Sequence, residues 1–250
     1  MSAIATTSLN RGVRFYESTI GKKVVMAVTG VILFGYVLGH MLGNLQIFLG
    51  AEAINSYAHF LHSHEGALWM ARVVLLASVV LHIIASVQLW VQNNRARPAA
   101  YVRKRDVPTS YAARTMKWSG PIIAFFVIFH VLHLTSGDIV PLYPETAPNS
   151  PDAYDNVITG FQHPAIAIFY IVAVILLSMH LYHGLWSMFQ SVGFHHRRYT
   201  PQLQKGAAIF AIVVAIGYIS IPVAAMAHWI SPDAAMANKG KVDRAYAARR

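Results

Sequence analysis

Five near-continuous apolar stretches dominate the chain, at positions 24–49, 68–91, 118–135, 164–190 and 207–230. Each is close to the roughly 20 residues that a helix needs to cross about 30 Å of hydrocarbon at about 1.5 Å per residue. Asp, Glu, Lys and Arg are almost absent inside them, and Arg72 lies near an end, where its long side chain reaches the interface. The pattern predicts an all-α integral membrane protein with five transmembrane helices, one domain over 1–250 with a basic tail at 231–250. The first stretch is too long for a signal core and lacks a small-residue cleavage site at its end, so no cleavable signal is expected.

Composition narrows the chemistry. At 56% hydrophobic and 12% charged, the chain lies outside the soluble norm, and burial of an ordinary core does not explain it. There is no cysteine, which excludes disulfides, thiolate-held iron-sulfur clusters and thiol catalysis in this chain. Any redox centre here must use other ligands.

The net charge of +10 is unevenly spread. Lys22 and Lys23 precede the first span. Arg95, Arg97, Arg103, Lys104, Arg105, Arg114 and Lys117 fill the second connection, and Arg197, Arg198 and Lys205 the fourth. The third carries Asp138, Glu145, Asp152 and Asp155 instead. The positive-inside rule then puts the amino terminus and the second and fourth connections in the cytoplasm. An odd number of spans leaves the carboxyl terminus outside, where the basic tail "NKGKVDRAYAARR" is an exception to the rule. The basic loops suit orientation and anionic lipid, and equally a docking surface for a soluble partner; they do not point to nucleic acid.

Histidine is the polar residue that the spans do carry. His40 stands in the first, His82 in the second, His130 and His133 in the third, His180 and His183 in the fourth; the fifth has only His228, at its end. Intramembrane ionisable residues are functional candidates by default, because an unpartnered polar group in hydrocarbon is expensive. Histidines on four helices make two axial pairs, and a haem needs two neutral imidazoles on opposite faces of one iron, each from a different helix. The first four helices are therefore expected to form a haem-binding bundle. Gly35, Gly39 and Gly43 bracket His40, Ser78 and Ser86 flank His82 four residues away, and Gly184 follows His180 by four. Such small residues leave room for a flat ring, or else serve close helix packing. Counting from the cytoplasmic ends, His40 lies farthest out, so two haems at different depths are expected. Within the pairs His130/His133 and His180/His183, spacing leaves the ligand open, since each pair shares a helix face.

These residues resemble the di-haem cytochrome b membrane-anchor subunit of succinate:quinone oxidoreductases and quinol:fumarate reductases. The similar pieces are "IGKKVVMAVTG", "GHMLGNLQIFLGAEAINSYAHFLHS", His82, "FHVLH" and "HLYHGLWSMFQSVG". The resemblance implies that His40 and His130 bind one haem b, nearer the outer side, and that His82 and His180 bind the other, nearer the cytoplasm. It makes His133 and His183 supporting or packing residues. It further implies a cytoplasmic FAD-bearing flavoprotein and an iron-sulfur subunit docked on the basic loops, an exchangeable quinone with menaquinone the expected type, a bacterial-type cytoplasmic membrane, and scope for a higher oligomer of the complex. The long Pro-rich third connection is read as a surface loop.

Quinone chemistry needs hydrogen-bond donors and a proton source near an interface. The outer candidate is "HFLHSHEG", with His59, His62, His64 and Glu65, in which Glu65 is the proton-handling residue set against a solvated-loop reading. Two other functions remain in view. A di-haem cytochrome b serving another quinone-linked dehydrogenase fits the same ligands. A His-lined transporter would call for intramembrane carboxylates, broken helices or repeats, which Pro222 alone does not supply.

Overall fold

The computed structural model describes residues 13–96, 111–140, 152–191 and 193–232. Five long helices carry the apolar stretches: α1 (Thr19–Asn44), α3 (Glu65–Arg95), α4 (Tyr111–Leu134), α6 (Pro164–Ser191) and α7 (Thr200–Met226). All five are long and apolar enough to cross a membrane. Between them lie a short 3-10 helix (Leu45–Leu49), α2 (Ala51–Ser63) and α5 (Ala153–Phe161). No strand occurs among the described residues. Arg97, Arg103, Lys104, Arg105 and Glu145, and all of the basic tail beyond residue 232, lie outside the described residues.

Large apolar side chains on the long helices stay exposed, among them Val73, Leu76, Phe125, Ile128, Ile209 and Ile216. A water-soluble fold would bury such residues; here they form the lipid-facing surface that a membrane span requires. Two of the long helices contain proline in their interior, Pro121 in α4 and Pro222 in α7. Each removes a backbone donor, a defect that membrane helices accommodate through neighbouring groups.

The chain divides into two compact units. The first comprises Met1–Val37, Trp69–Gly120 and Met179–Ala211, and the second Leu38–Leu68, Pro121–Ser178 and Ile212–Arg250. In the first unit the Ser18 hydroxyl accepts the Gly21 N–H at 2.9 Å and so caps the start of α1. Its buried residues are mostly small: Ala27, Thr29, Ser78, Ala85, Ala112, Ser119, Ala207 and Ala211. Tyr16 OH donates to Gln88 Oε1 at 2.9 Å, and the Phe34 and Phe210 rings sit 4.1 Å apart. Lys22, which the sequence presents as an orienting surface charge, is itself buried; its ammonium donates to the Glu17 carbonyl at 2.6 Å and lies over the Tyr16 ring.

The second unit has a larger core, in which Ile47, Ile54, Phe126, Ile158, Phe161, Tyr170 and Ile221 pack together. The third connection is more than a surface loop. Its α5 buries Ile158 and Phe161, and Asp152 caps it by accepting the Asp155 N–H at 3.0 Å. Asn55 of α2 ties α5 down at both ends of its amide, donating to Asp152 Oδ1 at 3.3 Å and accepting the Tyr154 N–H at 3.0 Å. Gly50, at φ 102°, makes the turn into α2 in a backbone region that disfavours side chains.

Candidate functional site

Each unit contains one histidine pair. In the first, α3 supplies His82 and α6 supplies His180, with ring centroids 6.5 Å apart. Thr29 of α1 stands behind His82, its Oγ1 3.0 Å from Nδ1. The Thr29 hydroxyl proton goes to the Val25 carbonyl at 2.8 Å, so its oxygen is left to accept from His82. That places the imidazole proton on Nδ1 and leaves the Nε2 lone pair available to a metal. Ser119 of α4 stands behind His180 more loosely, 3.4 Å from Nδ1 and 3.5 Å from the Met116 carbonyl of its own helix.

In the second unit, α1 supplies His40 and α4 supplies His130, with ring centroids 5.8 Å apart. His40 Nε2 lies 3.2 Å from the Asn44 amide nitrogen, a donor, which marks Nε2 as the unprotonated position that Asn44 must vacate for a metal to bind. His130 Nδ1 lies 3.3 Å from the hydroxyl of Tyr170 on α6. The same hydroxyl is 2.9 Å from Nδ1 of His133. His133 is fully buried, and its Nε2 has no hydrogen-bond partner among the described residues. A Cβ on Gly160 would fall 2.6 Å from that nitrogen, so the absent side chain is what admits the ring.

Two imidazoles held on opposite sides of one metal, each through a nitrogen at about 2 Å, put their ring centroids about 6 Å apart. Both pairs have this spacing. Among the described residues no three His, Cys, Asp or Glu side chains gather to hold a bare ion. Pairs suit a metal whose other ligands are its own, as the four porphyrin nitrogens of a haem are. The structure thus brings together His40 with His130 and His82 with His180, and gives His133 the place behind His130.

The surrounding positions divide between the two readings of the small residues. Among the described residues a Cβ on Gly35, Gly39 or Gly184 would meet nothing within 4 Å, so these positions are open. Gly43 instead belongs to close packing, since a Cβ there would lie 2.7 Å from the Tyr57 ring. Ser86 turns its hydroxyl to the Ile83 carbonyl at 2.8 Å. His183 packs edge-on to Trp186 at 5.6 Å, and His183 Nδ1 and Trp186 Nε1 are both buried without a hydrogen-bond partner among the described residues. His59, His64 and Glu65 are exposed. His64 Nδ1 lies 2.9 Å from the Phe60 carbonyl, and Glu65 opens α3, where a carboxylate complements the helix dipole. Sequence reading missed Thr29, Ser119 and Tyr170; a hydroxyl one helix away from a histidine has no signature in spacing along the chain.

Comparison with known proteins gives two matches. The profile of the succinate dehydrogenase/fumarate reductase transmembrane subunit family matches residues 92–219, a stretch that includes His130 and His180. The succinate dehydrogenase cytochrome b558 subunit of Bacillus subtilis (strain 168) is 25% identical over 199 residues, covering 78% of this chain and 90% of that protein. No solved structure matches the chain.

Proposed function

Since the chain belongs to the succinate dehydrogenase/fumarate reductase transmembrane subunit family, we propose that it is the di-haem cytochrome b anchor of such a complex, carrying electrons between an iron-sulfur subunit and a membrane quinone. The observation that carries this reading is the pair of histidine couples at 5.8 and 6.5 Å, each matched to one six-coordinate iron. His40 and His130 hold one haem b, and His82 and His180 hold the other. Haem b, when bound between them, supplies one-electron transfer. The helices fix the ligands, Thr29 and Ser119 hold the imidazole protons of one pair away from the metal, and the exposed apolar surface keeps the helices in lipid.

The relative's name, a cytochrome b558 subunit of succinate dehydrogenase, supports haem in this chain as well. On this reading a FAD-bearing flavoprotein and an iron-sulfur subunit sit at the cytoplasmic face of a bacterial-type membrane, against the connections bearing Arg95, Arg114, Lys117, Arg197, Arg198 and Lys205. The amino terminus is cytoplasmic. A quinone, menaquinone by type, takes two electrons and two protons on full reduction, and Glu65, exposed at the start of α3, is the candidate carboxylate at the opposite face.

A reduced-minus-oxidised spectrum with haem quantitation on the purified complex tests the reading. About two b haems per chain are expected from two ligand pairs. A complex of this chain with its flavoprotein and iron-sulfur partners that contains no haem would end the proposal.

A further inference from the structure

We infer that Tyr170 is a positioning residue for one haem only, the one between His40 and His130, and that it acts together with His133 to set that haem's reduction potential. The inference rests on the haem-bearing reading above. Tyr170 is 5% exposed and His133 is 0% exposed, so neither has water as an alternative partner. The Tyr170 hydroxyl stands 3.3 Å from His130 Nδ1 and 2.9 Å from His133 Nδ1, and has a single proton to give.

Iron on His130 Nε2 decides which way that proton points. With the Nε2 lone pair committed to the metal, the His130 proton sits on Nδ1 and must be donated to the Tyr170 oxygen. Tyr170 then gives its own proton to His133 Nδ1. The chain runs His130 to Tyr170 to His133, and each link strengthens the one before it. An acceptor on Nδ1–H makes the ligand more electron-rich and favours ferric iron. The haem on His40 and His130 is thereby held at a lower potential than it would have without Tyr170.

His133 gives Tyr170 its acceptor and keeps its oxygen turned to His130. Aromatic packing holds the arrangement: Phe126, Phe129 and Phe161 all contact the Tyr170 ring, at 5.0, 6.0 and 4.8 Å between centroids. Gly160 provides the space in which the His133 ring lies. In the first unit the corresponding place behind His82 is taken by Thr29, whose proton is already committed to its own helix. The first unit thus has a hydroxyl of its own in the place that Tyr170 takes in the second.

The test is potentiometric titration and low-spin haem resonance of the whole complex carrying Tyr170→Phe, His133→Leu or His133→Asn. Tyr170→Phe is expected to raise the potential of one haem, changing its ferric/ferrous equilibrium about fivefold, the worth of one hydrogen bond, while the second haem keeps its potential and signal. His133→Leu should shift the same haem in the same direction by less. His133→Asn, which restores an acceptor oxygen near the place of Nδ1, should return the wild-type value. If Tyr170→Phe loses that haem outright, the two His133 variants carry the decision: a shift in Leu reversed in Asn supports the inference, and wild-type potentials in both overturn it. Two bound haems with unchanged potentials in Tyr170→Phe, or an equal shift in both, also overturn it. A wild-type complex without haem would instead remove the reading on which the inference stands.

Discussion

The two units hold their histidine pairs by different means. Around His82 and His180 the buried residues are small, and the groups beside the imidazoles are aliphatic hydroxyls, Thr29 and Ser119, the first of which gives its proton to its own helix. Around His40 and His130 the buried residues are large and aromatic, and the fixing hydroxyl belongs to Tyr170, which is shared with a second histidine. A helix-bound hydroxyl can only accept from the ligand. A phenol between two imidazoles relays, so its environment reaches the ligand through it. Among the described residues, charge divides the same way: every Lys and Arg belongs to the first unit, and every Asp and Glu except Glu17 to the second.

Removing a ligand should break the comparison most severely. His82→Ala or His180→Ala is expected to cost one haem, and His40→Ala or His130→Ala the other, so that haem content falls by about half in each case. Spectra of the four variants should sort into two classes. Replacement of His133 or His183 is expected to leave both haems bound, as quantitation on the same preparations will show.

Next in size is Gly160→Ala. Its new methyl would overlap His133 Nε2 in a closed aromatic core, and overpacking of that kind costs about 1–3 kcal/mol. A lower melting temperature of the detergent-solubilised complex, with a disturbed haem on His40 and His130, is the expected result. Gly184→Ala provides the contrast, since a methyl there meets no protein atom. It should leave melting of the haem-free chain within about 0.5 kcal/mol of wild type. Any loss of haem from that variant would locate the ring against α6.

Thr29→Val removes one acceptor beside His82 Nδ1 and leaves the Met26 backbone as a partner, a loss of at most about 1 kcal/mol. It should raise the potential of the haem that Tyr170→Phe leaves alone, so the two substitutions together make a reciprocal pair. Asn55→Ala is expected to have the smallest effect on the haems: it frees α5 from α2 and lowers stability by about 1 kcal/mol without shifting either potential.

The five long helices were legible in the sequence because length and apolarity alone define a span, and the histidines because polar residues stand out against hydrocarbon. Spacing left His130 and His133 equivalent, since both face the same way from α4. What separates them is that His130 faces His40 of another helix while the His133 ring lies against Gly160 in the third connection, neither of which periodicity can express. The short α5 was read as loop because nine residues after a Pro-rich run carry too little pattern. Gly43 is ambiguous in the sequence because a small residue signals either space or contact, and only the position of Tyr57 tells which.

The division of charge between the units also bears on how the chain is first threaded into its membrane. An energised bacterial membrane is negative within, and carrying one cation outward against it costs about 2.3 kcal/mol per 100 mV. An inverted copy would have to export Lys22, Lys23, Arg114, Lys117, Arg197 and Arg198 together. In the orientation proposed above, a membrane potential negative within opposes that inversion, and discharging it during synthesis should let misoriented copies accumulate.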